Sequence, residues 1–219
     1  MIVSVLPDQI IITLDGPAAS GKSSAGKGVA KALGIPFVSS GLLYRAATYL
    51  MSHYGVAFHD DQALLQLLYT HRVELILQVN DNRVLIDGKD ITDLLHSDEI
   101  DHTVSTVAAH NSLREWVGER LQELHGPFVI EGRDMGTAVF PQAAYKFYLT
   151  APVEIRARRR FDEREADLEA VATSLRRRDR LDAKQLTPAK DAICIDTTNQ
   201  TLAQTIEQIL AYVHAARSP

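Results

Sequence analysis

Short apolar runs alternate along the chain with longer stretches in which apolar residues recur every three to four positions. Five runs, each bounded by turn residues, predict buried strands at 10–14, 36–38, 128–131, 145–149 and 192–196. The longer stretches predict helices at 22–34, 44–54, 61–69, 97–110, 112–125, 153–164, 168–181 and 202–215. Strands that alternate with helices predict an α/β fold with three layers and a mostly parallel five-stranded sheet.

A different pattern interrupts this alternation between about residues 60 and 105. Two β-rich runs, 73–79 and 83–87, flank the polar residues 80–82, which predicts an antiparallel hairpin. We therefore expect three segments in chain order: a core, 1–59; a small antiparallel insert, 60–105; and a continuation of the core, 106–219.

Composition removes several classes of protein. The chain has 219 residues, of which 46% are hydrophobic and 23% charged, as in ordinary globular domains. The net charge of −5 disfavours a general nucleic-acid binder. No apolar run approaches the roughly 18 residues that a membrane span needs, and the apolar start, 1–6, lacks the basic region of a signal peptide. The single cysteine, Cys194, favours a reducing compartment, and we expect it to be inert in a buried strand.

Charge is unevenly spread along the chain. Residues 154–190 hold 11 of the 23 lysines and arginines against 8 acids. In an acidic protein, such a local concentration of cations favours a specific anion site. A solvated helix face with i,i+4 ion pairs is the alternative reading of the same charges.

Residues 16–23 match the phosphate-binding pattern G-x-x-x-x-G-K-[ST] and lie between a predicted strand and a predicted helix. Glycines let backbone N–H groups approach phosphate oxygens, and the helix N-terminus adds positive potential. Lys22 is then expected to reach the β- and γ-phosphates of a nucleoside triphosphate, and the Ser23 hydroxyl to bind Mg²⁺. Gly26 and Gly28 lie inside the predicted helix, where we expect them to pack closely against the sheet.

The phosphate-binding loop alone does not separate switches, motors and kinases. The guanine-reading pattern N-K-x-D of GTPases is absent from the sequence, and motor ATPases are much longer. A short chain with an arginine cluster favours a small-molecule kinase, because arginine binds phosphate through two parallel hydrogen bonds.

Two further segments carry a resemblance to a known family. Residues 40–45 read Ser-Gly-Leu-Leu-Tyr-Arg, and residues 131–137 read Glu-Gly-Arg-Asp-Met-Gly-Thr. Together with the phosphate-binding loop, they resemble the bacterial cytidylate kinases, which are nucleoside monophosphate kinases. The resemblance implies a P-loop kinase fold with a small antiparallel NMP-binding insert and a helical LID at about 156–185. It further implies phosphoryl transfer from ATP, with Mg²⁺, to CMP or dCMP by a cytoplasmic monomer that has no nucleic-acid or membrane partner.

The resemblance also implies a role for each matching residue. ATP-binding residues would be Gly16, Pro17, Ala18, Ala19, Ser20, Gly21, Lys22, Ser23 and Ser24. CMP-binding residues would be Ser40, Arg45, Ser105, Arg114, Arg133, Asp134, Arg178 and Asp182. Residues acting on the transferring phosphoryl group would be Lys22, Arg133, Arg156, Arg159 and Arg160. Among the CMP contacts, Asp134 would accept a hydrogen bond from the cytosine amine, which uracil lacks, and Asp182 would accept from the ribose hydroxyls.

Alternatives stay open at this point. Arg133 and Asp134 could be a structural ion pair at a strand end, and Glu131 could hold a Mg²⁺-bound water or pair with an arginine. After Asp182 the chain is about four residues shorter than many family members, and Gln185 stands where they carry an arginine, which weakens the expected discrimination against UMP. A kinase of another small acceptor, such as UMP, a sugar acid or shikimate, and a non-enzymatic nucleotide-dependent binding module are the rival functions.

Overall fold

The computed structural model describes residues 10–77, 82–163 and 167–215. Its strands are β1 Ile11–Asp15, β2 Phe37–Ser39, β3 Val73–Leu77, β4 Asn82–Ile86, β5 Lys89–Asp90, β6 Phe128–Glu131, β7 Tyr145–Thr150 and β8 Ile193–Asp196. Its α-helices are α1 Lys22–Leu33, α2 Gly41–His53, α3 Asp61–Thr70, α4 Asp98–Val107, α5 Asn111–Gln122, α6 Val153–Glu163, α7 Leu168–Leu181 and α8 Leu202–Ala215. The predictions for residues 1–8, for the strand end at 78–79, for most of the hairpin turn at 80–82 and for Arg164 fall outside the described residues.

Five strands form one sheet in the order β2-β6-β1-β7-β8, and β1 pairs in parallel with both β6 and β7. β8 joins β7, also in parallel. Helices flank this sheet, which confirms the predicted three-layer α/β fold. The carboxyl ends of β1 and β6 lie side by side in this order, and the sequence places the phosphate-binding loop directly after one and the Gly-Arg-Asp segment directly after the other.

The chain forms two compact units. The first comprises the described residues up to Phe37 and from His125 onward, and the second is Val38–Leu124. The predicted insert, 60–105, lies inside the second unit, which also includes α2 and α5.

In the first unit, the core lies between the sheet and the helices α1 and α8. Ile12 and Leu14 of β1 are fully buried and pack with Val29 of α1 and Ile209 of α8. The alternate residue Thr13 is fully buried as well, so β1 is covered on both faces, as its unbroken apolar run predicted.

The two glycines of α1 have different neighbours. A Cβ at Gly26 would lie 2.6 Å from the ring of Phe37 in β2, so this glycine packs against the sheet as expected. A Cβ at Gly28 would lie 2.3 Å from Ile206, which belongs to α8. The expectation for Gly28 was therefore wrong, because at this position the helix faces another helix.

Cys194 also departs from its expectation. It was expected in a buried strand, but its side chain is exposed. β8 is the edge strand of the sheet, and its residues alternate between exposed and covered, with Ile195 buried and Cys194 and Asp196 outside. An apolar run at the edge of a sheet is covered on one face only, which the run itself does not reveal.

The second unit contains the predicted antiparallel sheet. β3 pairs with β4 in the register Val73↔Ile86 to Leu77↔Asn82, and the short β5 extends the sheet beyond β4. α2 begins at Gly41, three residues before the predicted start, and a short 3-10 helix at Thr92–His96 was not predicted. Within the described ranges, no helix combines the length and apolar character that crossing a bilayer requires.

Candidate active site

The phosphate-binding loop follows β1 and ends at the first turn of α1. Gly16 has φ +139°, and a Cβ there would lie 2.1 Å from the carbonyl oxygen of Leu149 in the neighbouring strand. Gly21, immediately before α1, has φ +91°. Both positions therefore require glycine. At Gly16 the reasons are lack of space and backbone conformation, and at Gly21 the reason is conformation alone.

Four carbonyl oxygens of this loop meet side chains of the first unit. The contacts are Arg133 Nη1 to Gly16 (3.4 Å), Lys22 Nζ to Pro17 (2.6 Å), Arg156 Nη1 to Ala18 (3.0 Å) and Thr197 Oγ1 to Ser20 (3.3 Å). Within one peptide group, the C=O and the following N–H point in opposite directions. Each carbonyl that a side chain binds therefore fixes the direction of the N–H group of its own peptide, and an anion can accept hydrogen bonds from such N–H groups.

Lys22 is buried among both cations and acids. Only 4% of it is exposed, and the pKa of its ammonium is lowered from 10.5 to about 7, with burial as the largest cause. The charges of Arg133 and, to a smaller extent, Arg178 contribute to this lowering, whereas Glu131 and Asp15 act in the opposite direction. A phosphate group beside these three cations would relieve their repulsion, which makes this place an anion site.

Ser23 and Glu131 place a hydroxyl and a carboxylate oxygen next to each other at the base of the loop. The Ser23 hydroxyl, in the first turn of α1, donates a hydrogen bond to Oε2 of Glu131 at the end of β6 (2.9 Å). Hydroxyl and carboxylate oxygens are the donors that Mg²⁺ prefers, and it usually keeps several waters beside them. These residues fit a magnesium ion bound with a nucleotide.

Asp15, the last residue of β1, was not identified from the sequence. Its carboxylate accepts hydrogen bonds from the backbone N–H groups of Met135 (2.8 Å) and Gly136 (2.7 Å), at the start of a π-helical turn, Met135–Val139. Burial outweighs these hydrogen bonds and raises the pKa of Asp15 to about 6. The sequence feature that could have identified Asp15 is an acidic residue placed between a buried strand and the loop. The hydrogen bonds that Asp15 accepts hold the Gly-Arg-Asp segment against the loop.

Four residues of the predicted CMP site lie in this part of the first unit. Arg133 donates from Nε to Oδ2 of Asp182 (2.8 Å), so the expected ribose acceptor orients an arginine here. Asp134, beside it, is buried. Arg178 lies close enough to Lys22 for its charge to lower the pKa of that lysine.

The predicted LID arginines occupy different environments. Arg156 is 4% exposed and binds Asp179 through both Nη atoms, at 3.2 and 2.5 Å. Arg159 donates to the hydroxyl and the carbonyl of Thr197, at 3.0 and 2.5 Å. Neither Asp179 nor Thr197 was singled out from the sequence, where an aspartate in an arginine-rich helix and a threonine after a strand are unremarkable.

A cavity of about 550 Å³ adjoins the loop within the first unit. It is lined by the loop and the start of α1, by Arg159, Arg160 and Asp162 of α6, and by residues on both sides of the start of α8, namely Thr197, Gln200, Leu202 and Thr205. Its volume lies in the range of small-molecule sites. Arg160 lines this cavity together with Arg159, whereas Arg156 is not among its walls.

The remaining predicted CMP residues belong to the second unit. Arg45 in α2 donates from Nη2 to Asp101 (2.5 Å) and from Nη1 to the carbonyl of Leu95 (2.8 Å), a pairing that the sequence did not suggest. Ser105 lies one helical turn after Asp101 on α4 and is buried, as is Ser40.

Arg114 of α5 lies within the same unit as Arg45. Its guanidinium stands 5.6 Å from the ring centre of Tyr44, the residue next to Arg45 in α2, and Nη1 is 3.4 Å from the carbonyl of Ala108. The second unit therefore brings Arg45 and Arg114 to the same end of α2.

Comparison with known proteins identifies the family of this chain. The family model for cytidylate kinase matches residues 12–215. The chain is 52% identical to a cytidylate kinase of Thermus thermophilus over 93% of this chain and 98% of that protein. It is also 52% identical to a cytidylate kinase of Deinococcus deserti over 91% and 97%. Among solved structures, a gluconokinase from Sinorhizobium meliloti superposes with a TM-score of 0.53 at 15% identity, covering 96% of this chain and 95% of that one, which reflects a shared fold. The family match and the two close relatives establish that this chain belongs to the cytidylate kinase family.

Proposed function

We propose that this protein transfers the γ-phosphoryl group of ATP to CMP or dCMP, giving ADP and CDP or dCDP. The observation that carries the proposal is the group of three cations, Lys22, Arg133 and Arg178, at a phosphate-binding loop in a chain of the cytidylate kinase family. Two nucleotides with facing phosphates repel each other strongly, and these cations offset that repulsion. We include in the proposal a monomer in the cytoplasm, where the exposed Cys194 remains a thiol.

ATP would bind in the first unit. In this proposal, residues Gly16 to Ser24 hold its phosphates through backbone N–H groups, and the cavity of about 550 Å³ beside the loop receives its nucleoside. Arg159 and Arg160 line that cavity and are the LID arginines best placed to contact ATP. Arg156 instead contacts the loop itself, by donating a hydrogen bond to the Ala18 carbonyl.

Mg²⁺ would be held by the Ser23 hydroxyl, with Glu131 accepting from a water of the ion or from the hydroxyl itself. When bound, the ion neutralises charge that develops on the phosphate oxygens. The Ser23–Glu131 hydrogen bond orients both oxygen atoms.

The residues expected to contact CMP fall into two sets, one within each unit. Ser40, Arg45, Ser105 and Arg114 come from the second unit, and Arg133, Asp134, Arg178 and Asp182 from the first. Arg45 and Arg133 would bind the acceptor phosphate, and both are already oriented by carboxylates, Asp101 and Asp182. Carboxylate partners keep the two guanidinium groups from adopting many rotamers, so less entropy is lost when phosphate binds.

Phosphoryl transfer by these residues needs no strong general base. Lys22 and the arginines stabilise charge spread over the transferring group, and alignment of the two nucleotides supplies the rest of the acceleration. Base selection would come from Asp134, because a buried carboxylate accepts from the cytosine amine and repels the carbonyl that uracil carries at the same position.

A panel of acceptors tests the proposal. CMP, dCMP, UMP, AMP and shikimate are each incubated with MgATP, and the products are separated by chromatography. We expect CDP and dCDP at rates clearly above those of any other product. Phosphorylation of another acceptor in preference to CMP, or nucleotide binding without any product, would overturn the assignment.

Two variants test the catalytic roles proposed for Lys22 and Arg133. Lys22→Ala and Arg133→Ala should each lower turnover by at least about 100-fold, because each removes a charge that stabilises the transition state. Circular dichroism and thermal melting serve as the folding control. Turnover at the wild-type level in either variant would contradict the assigned roles.

A further inference from the structure

We infer that Asp179 is a positioning residue which acts through Arg156 to hold the phosphate-binding loop in the conformation that binds ATP. This inference rests on the proposed ATP site and extends it to a residue outside the loop, the cavity and the acceptor-binding set.

The contacts form a chain from α7 to the loop. Arg156 lies in the first turn of α6 and Asp179 in the last turn of α7, so their ion pair joins the start of one helix to the end of the other. The same guanidinium donates from Nε to the carbonyl of Ala151 (2.9 Å) and from Nη1 to the carbonyl of Ala18 (3.0 Å). Arg156 therefore has a carboxylate on one side and the loop backbone on the other.

The backbone that Arg156 contacts is strained. Ala19, the residue after Ala18, has φ +59°, in the left-handed region that residues with a Cβ seldom adopt. Such a conformation persists only where the surroundings hold it. The Ala18 carbonyl and the Ala19 N–H belong to one peptide group, so a donor on the carbonyl fixes the direction of that N–H and opposes rotation of the peptide.

Packing supports the same loop conformation. Ala18 is buried in a small apolar cluster with Ala157 of α6 and Ala172 and Leu175 of α7, and Ala19 packs against this cluster. The loop thus rests on the α6–α7 pair through two alanine side chains, while Arg156 holds its backbone. Apolar contacts alone do not fix the rotation of a peptide plane, which is why the hydrogen bond from Arg156 matters.

Asp179 matters because Arg156 is buried. The side chain of Arg156 is only 5% exposed, and a buried guanidinium without its carboxylate partner is strongly unfavourable. In a variant without that carboxylate, the guanidinium gains by moving toward solvent, and this movement takes Nη1 away from the Ala18 carbonyl. The peptide before Ala19 then loses the donor that fixes it.

The test is Asp179→Asn, assayed first by equilibrium binding of ATP to the full-length protein without any acceptor. We expect the dissociation constant for ATP to rise about tenfold, the size expected for one lost charge-assisted hydrogen bond. In steady-state assays with CMP, KM for ATP should rise by a similar factor, while kcat and KM for CMP stay within about threefold. An unchanged ATP dissociation constant in the folded variant refutes the inference.

A matched control comes from the exposed side of the same helix pair. Arg176 of α7 reaches Glu169 (3.1 Å) and Glu154 of α6 (3.5 Å), but its pairs lie at the surface and do not touch the loop. Arg176→Gln breaks an ion pair between the same helices and should leave ATP binding unchanged. A rise in the ATP dissociation constant equal to that of Asp179→Asn would show a general effect of loosening the helices and refute the specific role.

Two further variants keep the test decisive. Asp179→Glu retains the carboxylate and should restore at least part of the ATP affinity, whereas no recovery counts against the role of the charge. If Asp179→Asn does not fold, Arg156→Lys replaces it, because a lysine keeps the charge but cannot reach Asp179 and the Ala18 carbonyl together. If the wild type binds ATP but does not phosphorylate CMP, the proposed function is refuted, while the test of Asp179 remains valid.

Discussion

ATP binding to this protein should be coupled to proton uptake through Lys22. In the nucleotide-free protein, burial and two arginines lower the pKa of Lys22 to about 7, so much of the lysine is neutral at slightly alkaline pH. A bound phosphate is an opposite charge at hydrogen-bond distance, which favours the ammonium form and raises the pKa again. The lysine therefore takes up a proton when ATP binds at a pH above 7.

The size of the effect follows from the pKa of the free protein. With a pKa of about 7, about nine-tenths of the lysine is neutral at pH 8 and about one-tenth at pH 6. ATP binding should accordingly take up about 0.9 proton per site at pH 8 and about 0.1 at pH 6. Above pH 7, the affinity for ATP falls as the pH rises, by at most about tenfold per unit.

The lowered pKa of Lys22 also determines in which direction the stability of the nucleotide-free protein changes with pH. The folded state binds its proton on Lys22 less tightly than the unfolded state, whose ordinary lysine pKa is 10.5. The contribution of Lys22 to the free energy of unfolding therefore rises with pH between about 7 and 10.5 and is flat outside that window.

Isothermal titration calorimetry in buffers of different ionisation enthalpy measures the protons taken up. Each titration is repeated with Lys22→Met, which retains the length of the side chain without a titrating group, so that protons bound by ATP itself cancel in the difference. We expect the difference between the two proteins to be close to one proton at pH 8 and close to zero at pH 6. Equal proton uptake by both proteins at pH 8 would refute the assignment of the titration to Lys22.

Three further changes have expected outcomes. Gly26→Ala places a Cβ 2.6 Å from the Phe37 ring and should lower the free energy of unfolding by about 1–3 kcal/mol in urea titrations, whereas Gly118→Ala, with open space around it in α5, should leave it unchanged or raise it slightly. A smaller loss at Gly26 than at Gly118 would contradict the packing. Cys194 should react with a maleimide in the native protein to give one adduct by mass spectrometry, and protection until unfolding would contradict its exposure. Thr197→Val removes the hydroxyl beside a loop carbonyl and should raise KM for ATP about threefold, with an unchanged KM speaking against that contact.

Local patterns predicted the elements of this fold well. The strand at Phe128–Glu131 and the helices at Leu168–Leu181 and Leu202–Ala215 have the predicted bounds. These segments have strong periodicity or an unbroken β-rich run. Where the expectations failed, at Gly28 and Cys194, the missing information was which element lies opposite, and that depends on strand order.

The residues of the candidate site likewise fall into those that the sequence identified and those that it missed. The phosphate-binding loop and the Gly-Arg-Asp segment are each contiguous in the chain, so the order of their residues is enough to identify them. Asp15, Asp179 and Thr197 were missed because each acts through a partner far away in the chain: Asp15 on Met135 and Gly136, Asp179 on Arg156, and Thr197 on the loop carbonyl of Ser20. A single aspartate or threonine carries no local signal of such a partner.

The sequence by itself determined the kind of chemistry, because glycines, a lysine and a serine at fixed spacing suffice to make a phosphate-binding loop between a strand and a helix. Only the tertiary structure decided which arginines line the cavity beside the loop and which are buried against the loop backbone. Arg156 and Arg159 are three residues apart on one helix, yet one is buried against Asp179 and the other lines the cavity. The physical reason is that a guanidinium's role depends on the carboxylates and carbonyls around it, and these come from distant parts of the chain.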